Sequence, residues 1–188
     1  MNCIFCQSNQ INKVIENNFH CLNCGVVFKS IDVHLSENEE EKRYRFHEND
    51  ANDLNYYDFL IKLIKPIESE LKNIKSHLDF GSGKSSVYQK YFLEKDIESS
   101  CYDLYFFPDK KTLLKKYDLV TCSEVVEHFN VPNQDWEILV STVKSKGLLA
   151  IMTNFYNSSI DYKNWWYKND PTHVVFYTKE SLSFIEKK

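Results

Sequence analysis

The sequence of 188 residues contains no apolar run that approaches the ~20 residues needed to span a membrane. It also lacks the charged-then-apolar N-terminal segment of a secretory signal. Neither sign of charge dominates, because 23 basic and 27 acidic residues leave a net charge of −4. So small an excess argues against a broad electrostatic surface for nucleic acid. We therefore expect a cytoplasmic protein without membrane contact, for which nucleic acid is not an expected partner.

The composition indicates a folded chain with a substantial core. Hydrophobic residues make up 43% of the sequence and include 13 Phe and 12 Tyr, which excludes a chain disordered by composition. The length suggests one main domain with a small appendage. In the cytoplasm the six cysteines should be reduced or metal-bound. Two of them, Cys101 and Cys122, lie in predicted strands and are interpreted as small buried side chains.

The other four cysteines form two Cys-x2-Cys pairs near the N-terminus. Each pair can present two thiolates to one ion, and four thiolates close a tetrahedral structural site. A redox role would need only one pair in a strand–helix context, and is disfavoured. His20 adjoins the second pair and is interpreted as a bystander. We therefore predict a structural Zn²⁺ held by Cys3, Cys6, Cys21 and Cys24.

A charged connector separates these cysteines from the rest of the chain. Residues 36–50 favour a solvated helix or loop, although Tyr44 and His47 belong to an unusually dense group of hydrogen-bonding side chains. Residues 57–71 carry apolar side chains at helical spacing. Pro66 should kink this helix or split it in two, since proline donates no backbone hydrogen bond.

A short apolar strand, two glycines and a helix follow in residues 77–94. The strand ends at Asp79, and Gly81 and Gly83 would let the backbone approach a ligand closely. Strand, glycine turn and helix form the generic nucleotide site of doubly wound folds. The next predicted strand ends at Asp103, at a spacing that suits an acidic side chain accepting hydrogen bonds from ribose hydroxyls.

Two other glycine motifs fit these residues less well. A P-loop requires its first glycine where this chain has Leu78, although Gly83-Lys84-Ser85 matches the end of that motif. A dinucleotide oxidoreductase would carry a third glycine at the position of Ser86. Both alternatives are disfavoured.

Residues 117–129 contain a third predicted strand followed by polar side chains. In a doubly wound sheet, ligands bind beyond the carboxyl ends of the strands. We therefore expect a ligand near the polar residues that follow this strand, which are Ser123, Glu124, Glu127 and His128.

In order along the chain, these segments resemble the motifs of class I S-adenosylmethionine (SAM)-dependent methyltransferases. The motifs are LDFGSG, YDL, YDLVTCSEVVEHF and GLLAIMT. The resemblance covers nearly the whole chain, and it extends to a bacterial subgroup with an N-terminal zinc ribbon through HLSENEEEKRYRFHEND, FFPD and WWYKNDPTHVVFYT. It implies SAM as the cofactor, bound by Asp79, Gly81, Gly83, Asp103, Leu104, Ser123 and Glu124.

By the same resemblance, Asp79 and the two glycines would line the methionine part of SAM. Asp103 would hold the ribose and Leu104 would flank the adenine. Ser123 and Glu124 would close the pocket. SAM needs no pyrophosphate cradle, so a turn with two glycines suffices.

The chain departs from that family in two places. Too few residues lie between Asp103 and Asp118 for the usual helix, strand and helix, and only ten follow Thr178. We therefore predict an α/β fold with a Rossmann-like, doubly wound, mostly parallel sheet reduced to four or five strands. An uncovered sheet edge would make a homodimer plausible. The predicted domains are a zinc ribbon at 1–33, a helical connector at 34–76 and a SAM-binding methyltransferase domain at 77–188.

Methyl transfer needs a positioned acceptor and, for most acceptors, a base that removes a proton. His128 and His173 are the candidate bases because histidine titrates near neutral pH. Asp170 opens the turn that carries His173 and is a third candidate catalytic residue. Aromatic and polar side chains nearby in the sequence predict a substrate pocket, with the candidate substrate-binding residues Trp165, Trp166, Tyr44 and His47.

Three functions compete at this point. The acidic net charge and the aromatic C-terminal segment favour methylation of a small molecule. An RNA methyltransferase would need a basic ribbon, yet residues 1–30 carry only Lys13 and Lys29 against Glu16. The two shortened regions also allow a non-catalytic zinc-binding adaptor with a degenerate SAM fold.

Overall fold

A computed structural model describes residues 1–46 and 52–186. The chain divides into two compact units, each built from separate segments. The antiparallel unit comprises Met1–Lys42, Val126–Asp135 and Thr153–Lys188, and the parallel unit comprises Arg43–Val125 and Trp136–Met152. The domain boundaries expected from the sequence stay a prediction, because compact packing does not test which segments fold independently.

The regular elements alternate strands and helices over most of the chain. The strands are β1 (Ile11–Ile15), β2 (Asn18–Cys21), β3 (Val27–Lys29), β4 (Ser76–Phe80), β5 (Glu98–Tyr102), β6 (Tyr117–Ser123), β7 (Val143–Met152) and β8 (Val175–Phe176). The α-helices are α1 (Glu37–Arg45), α2 (Leu54–Ile61), α3 (Val87–Leu93), α4 (Pro132–Ser141) and α5 (Lys179–Glu186). No helix in the described residues is long and apolar enough to cross a membrane.

The parallel unit contains a four-stranded sheet in the order β5-β4-β6-β7, with every neighbouring pair parallel. This confirms the predicted Rossmann-like α/β fold with a reduced sheet. The described segment after β5 holds only the isolated bridge between Asp103 and Phe107 and the short 3-10 helix Thr112–Leu114. The chain there is too short for a further strand and its helices. β5 and β7 are therefore the edges of the described sheet, and homodimerisation through an edge stays a prediction.

An apolar cluster packs the helices of this unit against its sheet. The strands supply Leu119 and Ala150, α2 supplies Leu60, and α3 supplies Val87 and Phe92. These residues are at most 7% exposed. Full burial of a valine, leucine or phenylalanine side chain contributes ~1.5–3 kcal/mol to folding.

Proline interrupts the amphipathic segment after α2, as the sequence predicted. The α-helix ends at Ile61, and the chain continues as the 3-10 helix Lys65–Asn73, with Pro66 in its first turn. The second half of residues 57–71 is therefore not α-helical. A proline is tolerated there because the first N–H groups of a helix have no intrahelical acceptor.

The antiparallel unit joins the N-terminal segment to the C-terminal end of the chain. Its sheet has the order β1-β2-β3-β8, with antiparallel pairing throughout. Its core includes Val27, Tyr162, Tyr167 and Phe176, all at most 4% exposed. β8 thus completes the sheet of the N-terminal strands, and α5 follows β8.

Candidate cofactor site and metal-ligand clusters

The two glycines after β4 meet different requirements. Gly81 has φ of +79°, and a Cβ there would lie 2.3 Å from a methyl carbon of Val125. Gly83 has φ of +61°, but a Cβ there would meet no other described atom within 4 Å beyond its chain neighbours. Gly81 is therefore needed for close packing. Gly83 leaves open space beside the turn, where a ligand can approach the backbone.

The structure brings Asp103 onto this turn. Its Oδ2 accepts a hydrogen bond from the backbone N–H of Gly83 at 2.9 Å. Its Oδ1 accepts from the N–H groups of Tyr105 at 2.9 Å and Phe106 at 3.1 Å. A carboxylate offers about four lone-pair sites. Three N–H donors therefore fix the side chain and, among the described residues, leave one acceptor site of the carboxylate without a donor, while its contact with a ribose stays a prediction.

Asp79 lies inside the sheet and is 4% exposed. Its Oδ2 accepts a hydrogen bond from Ser86 Oγ at 2.5 Å and its Oδ1 accepts one from Thr121 Oγ1 at 3.0 Å. Burial raises the pKa of this carboxyl to about 6, although both hydroxyls favour the charged form. Asp79 thus links the start of α3 to β6, and its predicted contact with SAM stays a prediction.

The imidazole of His77 continues this buried network, and the sequence reasoning assigned it no role. Its Nδ1 lies 2.7 Å from Ser99 Oγ and its Nε2 lies 2.9 Å from Thr121 Oγ1. Burial lowers the pKa of His77 to about 3, so the ring is neutral. A histidine two residues before Asp79 in a largely buried strand was the signal that could have revealed the network.

The other predicted cofactor residues lie at the ends of β5 and β6. Leu104 follows Asp103 and is 56% exposed. Ser123 Oγ lies 2.7 Å from the hydroxyl of Tyr88. Glu124 has φ of +52°, in the left-handed region, and its N–H donates to the carbonyl of Met152 at 2.7 Å. These contacts position the three residues at the strand ends, and their binding of SAM stays a prediction.

The predicted substrate-binding residues are found in different surroundings. Tyr44 packs against Tyr105 in the parallel unit, with ring centroids 5.5 Å apart. Trp165 packs among aromatic rings of the antiparallel unit, whereas Trp166 is 68% exposed. His47 lies outside the described residues.

The four N-terminal cysteines converge as the sequence predicted. The sulfur atoms of Cys3 and Cys24 are 3.7 Å apart, and those of Cys6 and Cys21 are 3.5 Å apart. Four thiolates at about 2.3 Å from one Zn²⁺ would be about 3.8 Å from one another. A hydrogen bond from Cys24 holds the pKa of Cys3 at about 5. The geometry fits a tetrahedral metal site.

A second group of metal-ligand side chains lies elsewhere in the antiparallel unit. Glu127, His128 and His173 each offer one ligand atom, and these atoms all lie within 4.8 Å of one another. Glu127 is fully buried and accepts a short hydrogen bond from the hydroxyl of Tyr167. The sequence had named both histidines as bases without predicting that Glu127 joins them.

Asp170 shapes the turn that leads to His173. Its Oδ1 accepts hydrogen bonds from the backbone N–H of Thr172 at 2.9 Å and from Thr172 Oγ1 at 2.7 Å. Its backbone carbonyl accepts from Lys29 Nζ at 2.7 Å. These contacts support a structural role, and its catalytic role stays a prediction.

The fold and the glycine turn define a Rossmann-like enzyme class that binds nucleosides at the ends of its parallel strands. A family model described as a methyltransferase domain matches residues 43–185, which is well over half of the chain. The chain therefore belongs to this methyltransferase family, and the family implies SAM as the methyl donor. No curated protein matches the sequence.

Proposed function

We propose that this protein transfers the methyl group of SAM to a small-molecule acceptor. The observation that carries the proposal is the contact between Asp103 and the backbone of Gly83 beside open space. Asp103 follows β5, and the glycine turn follows the neighbouring strand β4. The two therefore meet at one point of the parallel unit. That convergence suits a nucleoside whose ribose and amino-acid portions extend in different directions.

The residues around this turn would bind and orient SAM. Asp103 would accept a hydrogen bond from a ribose hydroxyl, and Gly83 would admit the methionine portion. The exposed side chain of Leu104 would cover one face of the adenine, because removing apolar surface from water is favourable. Bound SAM supplies an electrophilic methyl group on a sulfonium, so positioning of the acceptor supplies much of the rate.

We further propose that the four cysteines hold a structural Zn²⁺. Two of their sulfur–sulfur separations are 3.5 and 3.7 Å, and all four sulfur atoms lie within 4.8 Å of one another. These distances suit a closed tetrahedral site, which leaves no position for a substrate. The ion would stabilise the antiparallel unit rather than take part in methyl transfer. Cysteines kept reduced for metal binding suit the cytoplasm, where we place the reaction.

The scarcity of exposed basic side chains near the N-terminus favours a small molecule over RNA as the acceptor. Of the two lysines in residues 1–30, Lys29 is partly buried and donates to a backbone carbonyl. Burial lowers the pKa of Lys29 to about 8. It is therefore poorly suited to a phosphate contact. His128 and His173 remain the proposed groups that receive the acceptor's proton.

Calorimetric titration of the zinc-loaded protein with SAM and with S-adenosylhomocysteine tests the proposal. We expect saturable binding at one site, and Asp103→Ala should weaken it at least tenfold. Asp109→Ala is the matched control, because Asp109 lies in the same loop and, in the described part of the chain, its carboxylate accepts a hydrogen bond from the backbone N–H of Lys111 alone. A folded protein that binds neither ligand would support the non-catalytic adaptor instead.

A further inference from the structure

We propose that Glu127, His128 and His173 form a second metal site, which binds one divalent transition-metal ion and is separate from the four cysteines. The three side chains lie within the antiparallel unit and have their ligand atoms within 4.8 Å of one another. Two imidazoles and one carboxylate are a known ligand set for catalytic zinc and for non-haem iron(II).

The orientation of both imidazoles favours metal binding. Nδ1 of His128 lies 3.0 Å from the carbonyl oxygen of Thr172, and Nδ1 of His173 lies 2.8 Å from that of Tyr167. A carbonyl oxygen only accepts hydrogen bonds, so each Nδ1 must carry the proton. In the neutral tautomer this leaves the lone pair on Nε2, the atom that would bind an ion. Metal-binding histidines commonly donate their other N–H in this way.

The carboxylate of Glu127 is also held in position by a hydrogen bond. The hydroxyl of Tyr167 donates to Glu127 Oε1, and the ring of Tyr167 packs on His173 with centroids 4.2 Å apart. A fully buried carboxylate is costly unless it is compensated by hydrogen bonds and a nearby positive charge. A divalent cation between Glu127 and the two histidines would supply that charge.

The backbone holds the two contributing segments together. The N–H of Val174 donates to the carbonyl of Glu127 at 2.9 Å, and Tyr177 Oη donates to the carbonyl of Val126 at 3.1 Å. Glu127 and His128 lie in the short 3-10 helix Val126–His128. The main chain therefore sets the separation of the ligands before an ion binds.

The dimensions require only a small adjustment on binding. Ligands held about 2.0–2.2 Å from one ion lie about 3–3.5 Å apart, somewhat closer than the upper limit of 4.8 Å in the structure. Side-chain movements of up to about 1–2 Å close that difference. The partial exposure of His128 gives an ion access from solvent. Two nitrogen ligands favour a transition metal over Mg²⁺, which prefers an all-oxygen site.

Cobalt(II) titration of the full-length protein, with its cysteines loaded with zinc, tests this proposal. We expect one equivalent of cobalt to bind, with the weak visible absorption of nitrogen and oxygen ligands and no thiolate charge-transfer band. Elemental analysis should show one zinc and one cobalt per chain. A thiolate band, which would place the cobalt at the cysteines and not at the second site, would overturn the proposal, as would the absence of binding by the folded, zinc-loaded protein.

Single substitutions assign the cobalt to these residues. Glu127→Gln keeps the size of the side chain and removes its charge, and His173→Asn removes an imidazole. Each should weaken cobalt binding at least ~100-fold, since even residues behind the ligands change affinity 10–100-fold. His128→Asn provides a third variant if either of these fails to fold, as judged by retained zinc and a cooperative thermal transition.

His34→Asn is the matched control. His34 belongs to the same unit and also contacts a backbone carbonyl, that of Lys29 at 3.3 Å, but it lies outside the cluster. It should bind cobalt as the parent protein does. If folded Glu127→Gln and His173→Asn also bind cobalt normally, the three residues are not the site. The titration contains no SAM, so its outcome is independent of the proposed SAM binding at the glycine turn. A bound ion would occupy the Nε2 lone pairs of both histidines and would therefore exclude them as the bases proposed for methyl transfer.

Discussion

In the parallel unit, the buried carboxylate of Asp79 accepts hydrogen bonds from the hydroxyls of Ser86 and Thr121. In the antiparallel unit, the buried carboxylate of Glu127 instead lies with two imidazoles, and the same unit gathers four thiols. Hydroxyl groups satisfy a carboxylate without any ion. Thiolates and neutral imidazoles are electron-pair donors that can share one cation. The zinc proposal therefore implies that the antiparallel unit depends on metal, whereas the parallel unit does not.

Loss of one zinc ligand should have the largest effect and should separate the two units. We expect Cys24→Ser to abolish tight zinc binding and to remove hydrogen-exchange protection from β1, β2 and β3, because a structural zinc contributes ~10–16 kcal/mol in small domains. Protection in β4 and β6 should persist. Hydrogen exchange followed by mass spectrometry measures both units in one experiment.

Cys101→Ser is the control for this change. Cys101 lies in β5 of the parallel unit, outside the cysteine cluster. Both units should keep their protection in this variant. Normal protection of β1–β3 in zinc-free Cys24→Ser would show that the antiparallel unit needs no metal.

The two glycines of the parallel unit should differ in their response to alanine. Gly81→Ala places a methyl group 2.3 Å from Val125, so we expect a loss of about 3 kcal/mol or more from overpacking and backbone strain. Gly83→Ala meets no such contact and should lose only about 1–2 kcal/mol from its positive φ. Urea unfolding measures both. Equal losses would contradict the distinction between a packing glycine and a ligand-facing glycine.

Gly83→Ala should nevertheless weaken SAM binding, because the added methyl group projects into the space assigned to the ligand. The titration should be made at a temperature where the variant is fully folded. Unchanged affinity for SAM would place the ligand away from Gly83.

The buried network of the parallel unit should give a smaller effect that depends on pH. Burial raises the pKa of Asp79 from 3.8 to about 6, so the folded protein holds more protons than the unfolded chain between these values. The contribution of Asp79 to stability therefore falls as pH rises from about 4 to 6. His77 acts in the opposite direction, since its pKa is lowered to about 3. Its contribution is lost as pH falls from about 6.5 towards 3.

Asp79→Asn removes the titration of Asp79 and leaves that of His77, so it separates their contributions to the pH dependence of stability. Its free energy of unfolding, relative to that of the parent protein, should rise by about 3 kcal/mol between pH 4 and pH 7. Urea unfolding at several pH values supplies the comparison. A difference that does not change with pH would mean that Asp79 titrates in its ordinary range when folded.

The sequence predicted most of the parallel unit, because its elements are local and strongly patterned. The alternation of strands and helices, the glycine turn, the interruption at Pro66 and the shortened segment after Asp103 could each be read from a few consecutive residues. The four cysteines were equally clear, since their spacing alone carries the signal.

The antiparallel unit was harder to predict because its key contacts join distant segments. β8 has only two residues and pairs with β3 across the length of the chain, so no local pattern marks it as a strand. Glu127 and His173 belong to segments that only the fold brings together. The hydrogen bonds of Asp79 were missed for a related reason, since residue type alone does not show whether a carboxylate faces a ligand or the core.

Photochemical crosslinking of methyl-labelled SAM to the zinc-loaded protein, followed by peptide mapping, tests the central claim most directly. We predict saturable labelling of peptides that span β4 to Phe107, competed by S-adenosylhomocysteine and lost in Asp103→Ala but kept in Asp109→Ala. Label confined to the antiparallel unit, or label that S-adenosylhomocysteine does not compete, would contradict the assignment of the methyl donor to the glycine turn.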